Sequence, residues 1–292
     1  MPRKGATLLR ISGEDALAFL QGQFTQELRP DRAPAVNYGL WLNQKGRVLA
    51  DSHVLRFGDG TFVLSSDESP AATLRERLDA YIIADDVVID DESEAKETWV
   101  LAGDAAANWF REIGVEPPGV GELAAVRGGW AFAARVPGTW TWIGPHEDAP
   151  QNQPQLEWAE LERARMLAGI PAVPSEIGPG DLAAEGGLEE SAISFTKGCY
   201  LGQEVVVRLN SMGRLRRRLM RIEAATGESP TVPAGIYQDG RQIGELRSAV
   251  VHEAGWIGLA MMQLTGLRTD APASLAADGD GVLRVTEIGR RA

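Results

Sequence analysis

The chain has 292 residues, whereas a single hydrophobic core usually stops growing near ~250, so the length indicates two or three packed units. Its 41 acidic and 29 basic residues give a net charge of −12 at pH 7, which disfavours a protein that coats nucleic acid or an anionic membrane with its whole surface. No apolar run approaches the ~18 residues of a membrane span, and the single cysteine, Cys199, permits no intrachain disulfide. The composition therefore predicts a globular, cytoplasmic protein with no membrane partner and, because its three histidines are scattered, no stoichiometric metal.

The first half of the sequence alternates short apolar runs with segments of helical periodicity. Hairpin signals such as Gln44-Lys45-Gly46 separate the apolar runs, and Ser12 is a candidate N-cap for the first helix. The predicted strands are 7–11, 38–42, 48–55, 61–64, 87–89, 98–101, 130–136 and 140–143. The predicted helices are 13–21, 70–84 and 105–113. Residues 1–200 are therefore assigned to an α+β region.

Glycine and proline residues mark the middle of the chain. A charged helix is predicted over 155–168, where a glycine C-cap and a following proline (Gly169 and Pro171) end it. The stretch from there to Gly187 is expected to be irregular. Residues 214–292 carry regularly spaced short strands without helical stretches, which predicts a small C-terminal β-barrel, and 195–213 connect it to the first region.

The densest local signal surrounds the only cysteine. Cys199 lies between Gly198 and Gly202, where the backbone can turn sharply or approach a ligand, and Lys197 precedes it by two residues. A nearby ammonium group lowers the pKa of a thiol and favours the thiolate, which attacks electrophiles or binds metal. Because free cysteine is among the most buried residue types, an inert core cysteine is the alternative interpretation.

The string KGCYLGQE, residues 197–204, resembles the signature of the YgfZ family of iron–sulfur cluster assembly proteins. These proteins are similar to the aminomethyltransferase, or T-protein, of glycine cleavage. Residues 13–25, 43–47 and 165–171 fit the same family in the expected order. The resemblance implies an α+β, T-protein-like ring of three lobes, with two interleaved α+β lobes and a C-terminal β-barrel. It assigns a catalytic role to Cys199 and Lys197 and places in the motif Gly198, Tyr200, Gly202, Gln203, Glu204 and Arg208.

The resemblance also implies that a reduced folate, tetrahydrofolate or a derivative, binds the protein. Such a ligand needs an apolar slot for the pterin and a few polar groups at the ring edge. The two tryptophans that line this site in enterobacterial relatives align near Ala6 and Leu161, and Trp158 lies one helical turn before the second position. The residues assigned to folate are Gln23, Trp158, Glu204 and Arg214.

The T-protein carries a paired Asp-Asp, in which one carboxylate assists attack by the pterin nitrogen on an aminomethyl group. The corresponding stretch of this chain has Ala50 and Asp51, so one member of the pair is alanine. The T-protein also lacks the cysteine of the motif. Asp51 is therefore the lone candidate carboxylate for a transferase, and the alternative is an exposed or turn-bonded aspartate in a strand.

Six arginines and no acidic residue occur between 208 and 221. One interpretation is the first barrel strand, with its arginines paired to neighbouring acids. The other is a clamp for a polyanion, such as a folate tail carboxylate, a tRNA phosphate or an acidic partner. The arginines are Arg208, Arg214, Arg216, Arg217, Arg218 and Arg221.

Three hypotheses for function follow. The favoured one is a folate-linked accessory factor for assembly or repair of iron–sulfur clusters in client enzymes, without conventional turnover, in which Cys199 is a transient ligand or redox thiol. The second is a tetrahydrofolate-dependent enzyme similar to aminomethyltransferase. The third is a protein associated with tRNA modification, where tRNA is reached only indirectly through an iron–sulfur enzyme. One cysteine without a CxxC motif cannot hold a stable cluster alone, so the chain would need a partner's thiolates or a second copy of itself. The resemblance implies iron–sulfur client or assembly proteins and a reduced folate as partners.

Overall fold

The structure, a computed structural model, describes residues 1–3, 5–31, 34–151 and 156–288. The chain divides into two compact units. The first contains Met1–Leu156 and Glu190–Val205, and the second contains Glu157–Glu189 and Val206–Ala292. The predicted helix start at Gln155 and the last four residues of the predicted barrel lie outside the described residues. The predicted domain limits, 1–200, 195–213 and 214–292, stay predictions.

The first unit contains two antiparallel sheets. The strands of the five-stranded sheet are β1 (Thr7–Ser12), β2 (Val36–Leu42), β3 (Val48–Arg56), β4 (Phe62–Ser66) and β5 (Val88–Asp91), in the order β2-β3-β4-β1-β5. The strands of the four-stranded sheet are β6 (Glu97–Ala102), β7 (Ala124–Val126), β8 (Gly129–Ala133) and β9 (Thr139–Gly144), in the order β6-β9-β8-β7. The predicted strands of this half are confirmed, and β7 is an additional short one.

Helices cover one face of each sheet in this unit. Helices α1 (Ala16–Gln23) and α2 (Ala71–Asp79) bury Leu20, Leu74 and Leu78 against the first sheet. Helix α3 (Gly103–Glu112) buries Trp109 and Phe110 against the second. The alternating apolar residues of the strands and the apolar stripe of each helix thus form the two cores, as the α+β prediction requires.

The predicted N-cap of the first helix is wrong, because Ser12 is the last residue of β1 and the helix begins at Ala16. Gly13 follows the strand at φ +115°, where a Cβ atom would overlap the carbonyl oxygen of Asp86. The carboxylate of Asp86 accepts a hydrogen bond from the Glu14 N–H at 3.1 Å. An acid 72 residues away in the sequence therefore supports the helix start, and no local pattern could have indicated it.

A helix occupies part of the segment that was expected to be a connector. Helix α6 spans Gln203–Met212, and a short helical turn, α5 (Glu189–Ala192), precedes the motif. The run Val205-Val206-Val207 has low helix propensity because β-branched side chains lose rotamer freedom in a helix. The sequence signal for a helix was therefore weak.

The second unit contains helix α4 (Trp158–Leu167), a 3₁₀ turn (Ala183–Gly186) and five strands. The strands are β10 (Arg217–Ala224), β11 (Ala234–Gln238), β12 (Arg241–His252), β13 (Gly255–Gln263) and β14 (Leu283–Glu287), in the order β11-β12-β13-β10-β14. Bridges from Ser274 to Tyr237 and from Ala273 to Leu283 join the two edge strands. This pairing closes the sheet and confirms the predicted C-terminal barrel.

A buried ion-pair network joins helix α4 to the segment before the barrel. Arg165 donates to both carboxylate oxygens of Glu176, at 2.7 and 2.8 Å, and to the Ile170 carbonyl at 2.7 Å. Glu176 is fully buried, and the hydroxyl of Ser248 in β12 donates to Oε1, the carboxylate oxygen that also accepts from Nη2 of Arg165. The bidentate pair satisfies both charges inside the unit. Among the described helices, none is both long and apolar enough to cross a membrane.

Candidate functional site

The motif loop presents Cys199 to solvent between two buried side chains. Cys199 is exposed, whereas Lys197 and Tyr200 each keep only 6% of their surface accessible. Main-chain hydrogen bonds attach the loop to the end of α1 and the turn after it: Leu201 N–H donates to the Gly22 carbonyl and Ser194 N–H to the Thr25 carbonyl, both at 3.0 Å. This exposure contradicts the interpretation of Cys199 as a core cysteine.

Lys197 anchors the loop to this turn. Its ammonium nitrogen donates to the main-chain carbonyl oxygens of Phe24 and Gln26, each at 2.7 Å, and lies 5.5 Å from the centre of the Tyr200 ring. Burial lowers the pKa of the Lys197 amine to about 8. The ammonium group thus has two carbonyl partners inside the unit, and an effect of its charge on the Cys199 thiol stays a prediction.

The other end of the loop packs on the hairpin between β2 and β3. Gly202 has φ +84°, and a Cβ atom there would lie 2.6 Å from the Asn43 carbonyl oxygen and 3.0 Å from the Gly46 Cα. A Cβ atom at Gly46, which has φ +65°, would lie 2.9 Å from the Cβ of Val205. Only glycine allows this contact of two backbones. Three sequence segments of the resemblance, 13–25, 43–47 and 197–204, therefore meet at one place in the first unit.

The buried polar atoms of this unit that have no hydrogen-bond partner among the described residues include Nη2 of Arg77 and the hydroxyl oxygen of Tyr200. Arg77 otherwise donates through Nε to the Leu42 carbonyl at 2.9 Å and through Nη1 to the Gln23 side-chain oxygen at 2.8 Å. A buried donor without an acceptor is costly, so such atoms commonly serve a ligand or an ordered water. Sequence reasoning missed Arg77, since its position in α2 carries no local signal.

The four residues assigned to folate lie on both units. Gln23 and Glu204 belong to the first unit, and Trp158 and Arg214 belong to the second. The side-chain oxygen of Gln23 is engaged by Arg77, the indole of Trp158 is 44% exposed, and the side chains of Glu204 and Arg214 are exposed. That these residues bind one folate stays a prediction.

A second polar cluster surrounds Asp51 on β3. The expectation of an exposed or turn-bonded aspartate is wrong, since Asp51 is only 8% exposed and its carboxylate accepts three hydroxyl hydrogen bonds. Tyr38 donates at 2.8 Å, Ser69 at 2.8 Å and Ser66 at 3.1 Å. These donors come from different strands and a loop, so sequence spacing alone could not have assembled them.

Two effects on the pKa of the Asp51 carboxyl oppose each other. Burial raises the pKa of its carboxyl, while Arg135, with its nitrogen 3.7 Å from the carboxylate, acts in the opposite direction. The Arg135 guanidinium also lies 4.1 Å from the centre of the Tyr38 ring. The cluster can hold a proton on a carboxylate at a higher pH than an exposed aspartate does.

The arginines of 208–221 divide into two groups. Arg217 bonds to Asp181 and Glu185 at 3.1 and 2.9 Å, Arg221 to Glu223 at 2.7 Å, and Arg218 lies 3.8 Å from Glu287. Arg208, Arg214 and Arg216 are exposed and make no ion pair with a described residue. Pairing with neighbouring acids is therefore confirmed for Arg217, Arg218 and Arg221, whereas a polyanion clamp stays a prediction for the other three. No cluster of three or more histidine, cysteine or acidic side chains in the described ranges could hold a metal ion.

Comparisons with known proteins agree with this architecture. The family model of the GCVT N-terminal domain matches residues 6–116, and that of the CAF17 C-terminal beta-barrel domain matches residues 216–287. The chain is 29% identical over 287 residues to the mitochondrial iron–sulfur cluster assembly factor IBA57 of Homo sapiens, covering 88% of this chain and 75% of that protein. For the Mus musculus protein of the same name, identity is 27% over 313 residues, covering 97% and 82%.

A solved structure gives the same result for the fold. The glycine cleavage system aminomethyltransferase T from Bartonella henselae superimposes with a TM-score of 0.78 at 14% identity, covering 98% of this chain and 84% of that chain. The predicted T-protein-like fold is confirmed. Together with the family models and the IBA57 relatives, this likeness also confirms the resemblance that the KGCYLGQE motif indicated.

Proposed function

Because the chain combines a GCVT N-terminal domain with a CAF17 C-terminal barrel and is similar to the IBA57 assembly factors, we propose that it is an accessory factor for assembly or repair of iron–sulfur clusters. The observation that carries the proposal is the exposed thiol of Cys199 on a loop whose two neighbouring side chains are buried. Hydrogen bonds to residues 22–26 and close packing on residues 43–46 fix that loop. The unit thus holds the single thiol of the chain at a defined, exposed place on its surface.

The chemistry of one thiol matches a transient ligand. A thiolate binds iron through sulfur after its proton leaves to solvent, and protein-bound clusters commonly use four such ligands. Cys199 supplies one, so a client or assembly protein must supply the rest during the contact. We therefore assign to this chain a role in passing or holding a cluster together with a partner, with no turnover of its own.

Reduced folate is part of the proposal. Nη2 of Arg77 and the hydroxyl of Tyr200 are buried donors that could serve the polar edge of a pterin, and both belong to the unit that carries the motif. When bound, a reduced folate supplies a carrier for one-carbon units. Titration with tetrahydrofolate, followed by tryptophan fluorescence, tests this part: saturable quenching that weakens in Tyr200→Phe supports it, and no quenching contradicts it.

The test of the function uses cells that lack their native protein of this type. Expression of this chain should restore the activity of a [4Fe–4S] enzyme and leave an enzyme without a cluster unchanged. Anaerobically purified protein should contain less than stoichiometric iron and sulfide. Failure to restore the cluster enzyme, in cells that contain the folded protein, would contradict the proposal. Fractionation of the source cells tests the predicted cytoplasmic location.

A second candidate function is an aminomethyltransferase, which the buried Asp51 cluster favours. A carboxyl of raised pKa beside hydroxyl donors is a suitable proton acceptor or donor. An assay with tetrahydrofolate and an aminomethyl donor decides between the two. We expect no turnover, since Ala50 replaces one member of the paired aspartates. Multiple turnovers that vanish in Asp51→Asn would establish the transferase instead. The route to tRNA modification through an iron–sulfur enzyme stays a prediction.

A further inference from the structure

We propose that Arg208, Arg214 and Arg216, with the exposed side chain of Val207, form a docking surface for an acidic segment of a partner protein. We call this set the arginine surface. The proposal rests on the proposed function and deepens it, because a factor that shares a cluster with a partner must first bind that partner. All four residues belong to the second unit.

The three guanidinium groups form no ion pair with the described residues, in a protein that has many acids. The chain contains 41 acidic residues, and three other arginines of the same stretch have acidic partners within 4 Å. In the described part of the chain, no carboxylate lies within ion-pair distance of Arg208, Arg214 or Arg216. Folding therefore leaves three positive charges available to another molecule.

The chain holds these residues close together. Arg208 lies one turn before the end of α6 at Met212, and the Gly213 N–H donates to the Leu209 carbonyl at 2.9 Å. At 1.5 Å of rise per helical residue and about 3.5 Å for each residue beyond it, the Cα atoms of Arg208 and Arg214 are within roughly 13 Å. Arg216 is within about 7 Å of Arg214. One short acidic segment can therefore contact all three.

Stabilisation of the helix end does not account for the whole set. A cation in the last turn of a helix interacts favourably with the helix dipole, but the last turn of α6 contains no basic residue and Arg208 lies before it. Arg214 and Arg216 lie beyond the helix, and that effect falls off within one turn. Neither the helix dipole nor an ion pair with a described residue therefore accounts for these two guanidinium groups.

The neighbouring side chains fit a protein better than a nucleic acid. Val207 is 43% exposed, and Leu209 and Leu215 are half-buried, so apolar area lies next to the arginines. Arginine beside apolar side chains is typical of protein interfaces. Single-stranded nucleic acid is bound largely by aromatic stacking, and residues 207–216 contain no aromatic side chain.

The test compares two variants of equal charge. Arg214→Gln/Arg216→Gln removes two arginines of the surface and leaves the motif residue Arg208 in place. Arg241→Gln/Arg284→Gln removes two exposed arginines of β12 and β14 and serves as the control. The probes are a fluorescein-labelled 16-residue peptide of Glu, Asp and Leu and a labelled uridine oligonucleotide of the same length, measured by anisotropy at constant salt. Thermal unfolding shows that both variants are folded.

We expect the peptide dissociation constant to rise about 10- to 30-fold in the surface variant, as loss of two charge-assisted contacts implies, and less than about 2-fold in the control. Arg214→Lys/Arg216→Lys should retain binding to within about 5-fold. Equal weakening in the control, or tighter binding of the oligonucleotide that is lost in the surface variant, would overturn the proposal. The peptide assay does not involve Cys199. A failed docking surface is thus distinguished from a failed cluster function, which restoration of the cluster enzyme measures.

Discussion

The ammonium nitrogen of Lys197 lies 2.7 Å from the main-chain carbonyl oxygen of Phe24, a residue 173 positions earlier in the chain. A second carbonyl, that of Gln26, lies at the same distance. A charged donor between two buried carbonyls forms strong hydrogen bonds, and it fixes the loop that carries Cys199. The lysine of the motif is therefore a positioning residue for the cysteine.

This relationship predicts a loss of stability in Lys197→Met. Two buried carbonyl oxygens lose their charged donor, so we expect the free energy of unfolding to fall by about 2–4 kcal/mol. Lys45→Met, at an exposed position, is the control and should change it by less than about 0.5 kcal/mol. Urea unfolding at neutral pH measures both. A similar, small effect in the two variants would show that Lys197 does not anchor the loop.

The same substitution predicts a small effect on thiol chemistry. Since the ammonium group is bonded to carbonyls, its removal should change the rate of Cys199 alkylation by iodoacetamide by less than about 3-fold in conditions where the variant stays folded. The hypothesis of direct electrostatic activation expects a much slower reaction. Alkylation that slows by a factor of ten or more in the folded variant would support that hypothesis.

Close backbone contact predicts an asymmetry between the two glycines of the motif. Gly202 has a positive φ and faces the Asn43 carbonyl, so Gly202→Ala should destabilise the protein by about 2 kcal/mol or more. At Gly198 no atom lies within 4 Å of an added Cβ, so Gly198→Ala should cost less than about 1 kcal/mol. Thermal or urea unfolding of both variants checks this order. The opposite order would contradict the packing of the loop on the hairpin.

The imidazole of His53 predicts a loss of stability in acid. It packs between the rings of Tyr38 and Phe132, and burial lowers the pKa of His53 to about 4 from 6.5. Between these two values the unfolded chain binds a proton that the folded one does not, so the free energy of unfolding falls as the pH falls through this range. His53 contributes about 2–3 kcal/mol to this fall in the free energy of unfolding.

His53→Phe keeps an aromatic ring and removes this titration. The difference in unfolding free energy between pH 6.5 and pH 4 should be smaller in the variant than in the wild type by the contribution of His53. Urea unfolding at a series of pH values measures it. An unchanged pH dependence would show that His53 is readily protonated in the folded protein.

Local patterns were sufficient for most of the elements. Alternation, hairpin signals and glycine positions predicted the strands from β1 to β9 except the short β7, and regular short strands predicted the barrel. The exposure of Cys199 followed from the motif resemblance and its flanking glycines. Helix α6 could not be predicted, because the three consecutive valines within it have low helix propensity.

Long-range contacts set the remainder of the site. Lys197 lies two residues before Cys199, but the partners of its ammonium group are the carbonyls of Phe24 and Gln26, which no local pattern in the sequence indicates. The three hydroxyl groups that donate to the Asp51 carboxylate belong to Tyr38, Ser66 and Ser69. Their spacing in the sequence does not indicate that they meet. Such clusters depend on strand register, which a single sequence specifies only through the whole fold.

We propose that the exposed thiol of Cys199 is the group through which this protein acts in assembly or repair of iron–sulfur clusters. The direct measurement is the activity of a [4Fe–4S] enzyme in cells lacking the native factor, with wild type and Cys199→Ser expressed at equal amounts and with equal thermal unfolding midpoints. We expect wild type to restore the activity of the enzyme and Cys199→Ser to restore little or none of it. Full restoration by a folded Cys199→Ser protein would contradict it and would leave the motif a role in the fold alone.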